Sequence, residues 1–312
     1  MTIGFRITDG AGTPLEATSG FDVVAFTIGG PSSDLTDDFE DVAVGDGAGG
    51  TLTNNGDGTF TYVTPDPLPP DAAGTWLVGL EASRPVTVNG HTVEEAVPNP
   101  VLDFSVDGTP VVPRRTVVST ANCSNCHGTF SKDFSVHSNL RNEVEYCVLC
   151  HNVSETDFPV RSLFPGADPN DEPIDFKHMI HRIHTGVEQA SQPYIIYGFD
   201  NRPVDFSDIE YPGDRRNCAA CHVNDSQLLP LPAGVLPTPL TKVDTSKSPA
   251  VETMTGSIPP IQDACLSCHD AADVAGHAQL NTTAGGVETC GVCHGEGAAF
   301  AVSAVHAIGG PP

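Results

Sequence analysis

The chain has 312 residues, 14 of them basic and 40 acidic, for a formal net charge of −26. That balance makes nucleic acid and anionic membrane surfaces poor partners and favours cationic partners, metal ions and positively charged mineral faces. No apolar run is long enough to span a bilayer.

From Met1 to residue 112 there is no cysteine, and Gly, Asp and Thr are abundant. Short β-like runs at 2–8, 21–28, 51–52, 59–63, 75–81, 92–97 and 101–106 are separated by turn signals such as Asn55-Gly-Asp-Gly58. Six or seven short strands over this length predict an all-β domain, a Greek-key sandwich or barrel. Its expected core includes Phe5, Val24, Phe26, Phe60, Tyr62, Trp76, Val78, Leu80 and Phe104. This part holds 2 basic and 17 acidic residues and has no Gly-rich nucleotide loop or catalytic cluster, so it reads as a scaffold or docking module. A Pro-containing linker at 108–115 places a domain boundary near Val112, dividing 1–112 from 113–312.

The second part writes Cys-x-x-Cys-His five times: Cys123/Cys126/His127, Cys147/Cys150/His151, Cys218/Cys221/His222, Cys265/Cys268/His269 and Cys290/Cys293/His294. This is the attachment motif of a c-type haem, in which two cysteines form thioethers to the vinyl groups and the adjoining His takes one axial position. The five copies use all ten cysteines. A disulfide framework has no reason to place His after every second cysteine. Zinc competes better, but five pairs cannot be divided into two-pair sites, and zinc does not need the trailing His. Five haem c groups are therefore expected.

Successive motifs begin 24, 71, 47 and 25 residues apart, so two close pairs flank a central motif. So little chain per haem cannot build an ordinary apolar core, and short helices with mostly irregular chain should wrap the porphyrins. Residues 176–186 read as a short helix with an apolar stripe of Phe176, Ile180 and Ile183 and a stop at Gly186. It carries His178, His181 and His184 at spacings of three, so neighbouring members share a face. The Pro-rich stretch 228–260 reads as an irregular surface connector.

Outside the motifs stand His91, His137, His178, His181, His184, His277 and His306. Six of these lie in the second part, for five distal iron positions. A haem with histidine on both sides has no open position for substrate and can only accept and pass electrons. The three methionines are Met1, Met179 and Met254, and Met179 is expected to pack rather than ligate.

The run Cys123-Ser-Asn-Cys-His-Gly-Thr-Phe-Ser, with His137, Arg141-Asn and Cys147-Val-Leu-Cys-His-Asn152, resembles the start of a pentahaem module of the OmcA/MtrC outer-membrane cytochromes. Ile180-His-Arg-Ile-His-Thr-Gly186 resembles that family's His-x-x-His helix, and Ala264-Cys-Leu-Ser-Cys-His-Asp270 with His277 continues the likeness. The first part is similar, more loosely, to the family's split β-barrel domains. The resemblance implies five bis-histidine irons, with His137, His181, His184, His277 and His306 as distal ligands and His178 left over. It also implies electron transfer to extracellular acceptors such as metal oxides and flavins, or to a partner cytochrome. Family members usually carry two β and two haem domains, whereas this chain has one of each. It also lacks the cysteine pair often found in the β-domains, so thiol control of flavin binding is not carried over.

Two further readings stand beside this one. One is a repeating subunit of an extracellular cytochrome filament, in which His91 could ligate a neighbour's haem, although a lone surface His is the simpler reading. The other is a reductase with one open haem. Neither a signal peptide nor a lipid-anchoring cysteine lies near Met1. Thioether attachment takes place outside the cytoplasm in bacteria and archaea. The expected setting is therefore an exported protein at the cell surface or beyond it, its leader removed, or a piece of a longer exported chain.

Overall fold

The computed structural model describes residues 1–128, 137, 140–198 and 201–308. The fold is built mostly of antiparallel sheets, with short helices and irregular chain. Its strands are β1 (Thr2–Phe5), β2 (Val23–Gly30), β3 (Asp37–Val44), β4 (Thr51–Asn54), β5 (Phe60–Val63), β6 (Thr75–Val88), β7 (His91–Ala96), β8 (Val101–Ser105), β9 (Ile195–Gly198), β10 (Arg202–Asp205), β11 (Thr238–Asp244) and β12 (Val251–Ile258). Its helices are α1 (Thr120–His127), α2 (Val144–Cys150), α3 (Phe158–Arg161), α4 (Phe176–Thr185), α5 (Pro260–Leu266), α6 (Ala272–Leu280), α7 (Gly291–His294) and α8 (Val302–Val305). The chain forms two compact units, Met1–Arg114 with His127–Cys150, and Arg115–Cys126 with His151–Pro312.

In the first unit, a three-stranded sheet ordered β1-β5-β4 shares a core with a sheet ordered β3-β2-β6-β7, on which β8 pairs with the first half of β6. Alternation decides which side chains meet. Phe60 and Tyr62 of β5 point inward while Val63 stays exposed. Every core residue expected from the sequence joins this cluster. Phe5 meets Phe26 edge-on at 5.3 Å between centroids and stacks on Phe60 at 5.5 Å, and Phe26 stacks on Tyr62 at 5.3 Å. Such pairs add about 0.5–1.5 kcal/mol each beyond area burial.

Strand β2 is buried along nearly its whole length. Val24, Phe26 and Ile28 enter the shared core, while the opposite face carries helix α2, with the Thr27 hydroxyl 2.8 Å from the Tyr146 hydroxyl. A Cβ added at Gly79 of β6 would lie 2.5 Å from the Tyr146 ring and 2.8 Å from Leu149, so a bare backbone is what lets α2 lie against the sheet. Arg141 adds an ion pair from Nε to the buried Glu81 at 2.6 Å and another from Nη2 to Glu40 at 2.8 Å. The second motif's cysteines thus ride on a helix anchored to the β-sheet.

Strand β3 has no counterpart in the sequence reading. It carries Asp37, Asp38, Glu40 and Asp41 on a sheet edge, where exposed carboxylates such as Asp37 and Glu40 are tolerated and discourage pairing with another chain.

In the second unit, α4 runs as the sequence predicts. Its apolar stripe packs Met179, Phe176, Ile180 and Ile183 against Tyr194, Ile196 and Phe206 around the β9–β10 hairpin. Gly186 caps it at φ 48°, where a Cβ would meet the Ile209 carbonyl at 1.9 Å. The stretch 228–260 corrects the sequence reading. Residues 238–258 form the antiparallel hairpin β11–β12 rather than an irregular connector, and the segment 169–171 hydrogen-bonds along β11. The Pro-rich ends concealed the alternating Thr and Val pattern between them.

Candidate haem-binding site

The spacing Cys-x-x-Cys-His has a local structural cause. In the third, fourth and fifth motifs the histidine N–H donates to the carbonyl of the first cysteine, His222 to Cys218, His269 to Cys265 and His294 to Cys290, each at 2.9 Å. One helical turn therefore brings positions i, i+3 and i+4 to a common face. The first motif lies on α1, with Cys123, Cys126 and His127, and the second lies at the end of α2, followed at once by His151. None of the ten cysteines is disulfide-bonded.

The motif cysteines differ in exposure. Cys293 lies on α7 and is exposed, as are Cys126 and Cys265. Helix α7 is a single turn of four residues with no buried side chain. The Cys293 carbonyl accepts the Phe300 N–H at 3.2 Å.

Motifs distant in sequence adjoin in space. The Cys221 thiol lies within hydrogen-bonding reach of Cys123, and Val118 bridges to His222. Burial raises the Cys218 and Cys265 thiols, and the neighbouring Cys268 and Cys290 respectively add to the shift. Glu288, two residues before Cys290, accepts the Ile261 and Gln262 N–H groups at 2.9 and 2.6 Å, capping the helix that carries Cys265. Cysteines of motifs one and three, three and four, and four and five are thus neighbours. The 71-residue gap after the second motif hid the contact between the first and the third.

The histidines fall into facing pairs. His181 of α4 faces His222 with ring centroids 6.0 Å apart and planes 13° apart. His306, after α8, faces His269 at 5.9 Å and 59°. His277 of α6 faces His294 at 6.3 Å and 87°. Each pair joins a motif histidine to one outside the motifs. With a metal–imidazole nitrogen bond of about 2 Å, two imidazoles on opposite sides of one iron have centres about 6 Å apart. The spacing fits haem iron between the rings and is too wide for direct stacking.

The ring nitrogens support the same fit. Nδ1–H donates to a backbone carbonyl at His151 (Ile174, 3.0 Å), His184 (Ile180, 2.8 Å), His294 (Phe300, 3.0 Å) and His306 (Val302, 3.1 Å). A carbonyl can only accept, so these rings carry their proton on Nδ1 and keep the Nε2 lone pair for a metal. At His222 the acceptor is the Ser226 hydroxyl, 3.0 Å away, whose own proton goes to the Val117 carbonyl at 2.6 Å. Burial, with His222 alongside, pushes His181 down to about 4, and burial also lowers His222 and His269. These rings are held neutral, the form that ligates.

The other histidines differ. His137 is a half-buried residue whose carbonyl accepts the Leu140 N–H, and Thr129–Ser131 of the motif-like run before it lie outside the described residues. His184 also meets Tyr211 edge-on at 5.7 Å. His91 is exposed on β7. His178 is buried and has a carboxylate at each ring nitrogen. Its partner Asp263 gave no signal in the sequence, because the contact spans 85 residues.

Cys-x-x-Cys-His turns that gather two thiols and an imidazole on one face, with a second imidazole opposite, define a c-type cytochrome. The family model of outer membrane cytochromes described as MtrC/MtrF-like, domains II/IV, matches residues 115–307, and the chain belongs to that family. No curated protein matches the chain by sequence. The crystal structure of MtrC from Shewanella baltica OS185 shares the fold, with a TM-score of 0.54 and 18% identity over 94% of this chain and 49% of that one. The chain thus spans about half the length of that structure. No helix among the described residues is long and apolar enough to cross a membrane.

Proposed function

We propose that the chain is a pentahaem electron conduit, with residues 1–112 as a β-domain and 113–312 as the haem domain. Haem c attaches at Cys123/Cys126, Cys147/Cys150, Cys218/Cys221, Cys265/Cys268 and Cys290/Cys293, with His127, His151, His222, His269 and His294 as proximal ligands. The distal ligands are His181 opposite His222, His306 opposite His269 and His277 opposite His294, leaving His137 and His184 for the first two motifs. The observation that carries this reading is the set of three imidazole pairs near 6 Å. When bound, each haem supplies a one-electron iron couple.

The chain's own residues attach, orient and shield. Nδ1–H bonds to carbonyls and to Ser226 fix ring orientation, and ligands on both faces exclude substrate from the metal. Apolar side chains Leu280, Val287, Val292, Phe300, Val305 and Ile308 stay exposed in the chain before, within and after the fifth motif and would offer a porphyrin an apolar wall. The row of attachment sites one, three, four and five supplies the path, and its outlets are extracellular acceptors: metal oxides, flavins, a partner cytochrome or another copy.

Replacing a distal histidine tests the assignment. His181→Ala, His184→Ala, His277→Ala and His306→Ala should each keep five attached haems by mass spectrometry and turn one high-spin in the absorption spectrum. His178→Ala should leave all five low-spin. A high-spin centre from His178→Ala with none from His184→Ala would overturn the choice within α4. High-spin iron in the unmodified protein would point instead to an open haem.

A further inference from the structure

His178 sits one turn before His181 on α4, yet its surroundings are of another kind. Nδ1 lies 2.6 Å from Asp263 Oδ1 and Nε2 lies 3.3 Å from Glu172 Oε1. An ionised carboxylate only accepts, so both ring nitrogens carry protons and the ring is an imidazolium. Thr238 Oγ1 lies 2.8 Å from the second Asp263 oxygen and 2.7 Å from Asp175. Lys177 pairs with Asp175 and lies 3.4 Å from Asp263, and Arg182 lies 3.8 Å from Glu172. Three carboxylates thus face three cations, and removing one leaves a charge unpaired in a largely buried cluster.

The placement of this cluster gives it a role. Asp263 is on α5, two residues before Cys265. At the far end of α4, the Thr185 hydroxyl lies 3.1 Å from the Ser267 carbonyl and 3.3 Å from Cys268 Sγ. Helix α4 is pinned to the fourth motif at both ends, and His181 lies between the pins. We propose that His178 is a positioning residue for His181, a fixed buried cation that holds α4 on α5 and raises the reduction potential of the group gripped by His181 and His222. This rests on the reading of that pair as opposed axial ligands. A fixed positive charge disfavours the oxidised, more positive iron, and a low-dielectric interior screens it weakly.

The test is a potentiometric titration of the full haem-loaded chain, followed by electron paramagnetic resonance. Near-parallel imidazole planes split the iron dπ orbitals strongly, so the His181/His222 centre has a rhombic low-spin spectrum. The nearly perpendicular His277/His294 centre is strongly anisotropic and serves as the internal control. His178→Gln should lower the potential of the rhombic centre, with a tenfold change in its oxidised-to-reduced ratio corresponding to about 59 mV for one electron. Glu172→Gln, which removes a partly exposed negative partner, should raise it, and both variants should keep five low-spin haems and an unshifted control centre. No shift in either variant, or shifts of the same sign, overturns the proposal. If His178→Gln does not accumulate, Glu172→Gln decides alone, and an absent or downward shift overturns it. If His181→Ala leaves all five centres low-spin, the ligand reading fails and the proposal fails with it.

Discussion

A histidine's role in this chain is set by what its second nitrogen touches. A carbonyl on Nδ1 leaves Nε2 a lone pair, as at His184 and His306, while two carboxylates turn His178 into a cation. Sequence spacing places all three α4 histidines alike; acceptors tell His178 and His184 apart, and His181 is set off by burial against His222. Asp171 shows the same dependence on surroundings. It is buried beside Thr241, and desolvation, reinforced by Glu252 and Asp157, raises its carboxyl to about 6. A carboxyl raised in the folded state favours folding below its unfolded value near 4 and loses that contribution as pH rises through about 6. Asp171→Asn should therefore melt higher than the unmodified protein at pH 7 to 8, by on the order of 1 kcal/mol once solvent screening is allowed for. The difference should vanish below about pH 4. Melting temperatures across that range check it, and a constant offset would sink the assignment.

At the scale of elements, the second motif depends on one glycine. Helix α2 lies on the sheet because Gly79 leaves room for Tyr146 and Leu149. Gly79→Val should overpack this contact and cost about 1–3 kcal/mol, read as a lower denaturant midpoint. An unchanged midpoint would show that the helix tolerates displacement. Helix α4 was legible in the sequence because three signals agreed: an apolar stripe, histidines at spacings of three and a terminal glycine whose positive φ the fold requires. The β11–β12 hairpin and strand β3 were not legible. The first lay inside Pro-rich chain, and the second carries carboxylates that only an edge position accommodates.

For the whole molecule, the charge of −26 would govern encounters of the proposed conduit with charged donors and acceptors. Electron transfer from the reduced protein to a small cationic acceptor should slow as ionic strength rises, and transfer to an anionic one should quicken. Stopped-flow measurement across a salt series reads both, and equal salt dependence would remove electrostatics from the encounter. Carbon monoxide should bind negligibly to the reduced protein as isolated, and rapid binding would mean an open iron.

The residues alone determined the attachment chemistry, because Cys-x-x-Cys-His is a local pattern whose spacing one helical turn explains. They also determined the surplus of histidine, through simple counting, and the inward faces of the β-strands, through period-two alternation. Which histidine faces which motif, and which motifs adjoin, was decided only by tertiary structure. His181 meets His222 across 41 positions and Cys123 meets Cys221 across 98, contacts set by helix packing and buried ion pairs rather than by local pattern.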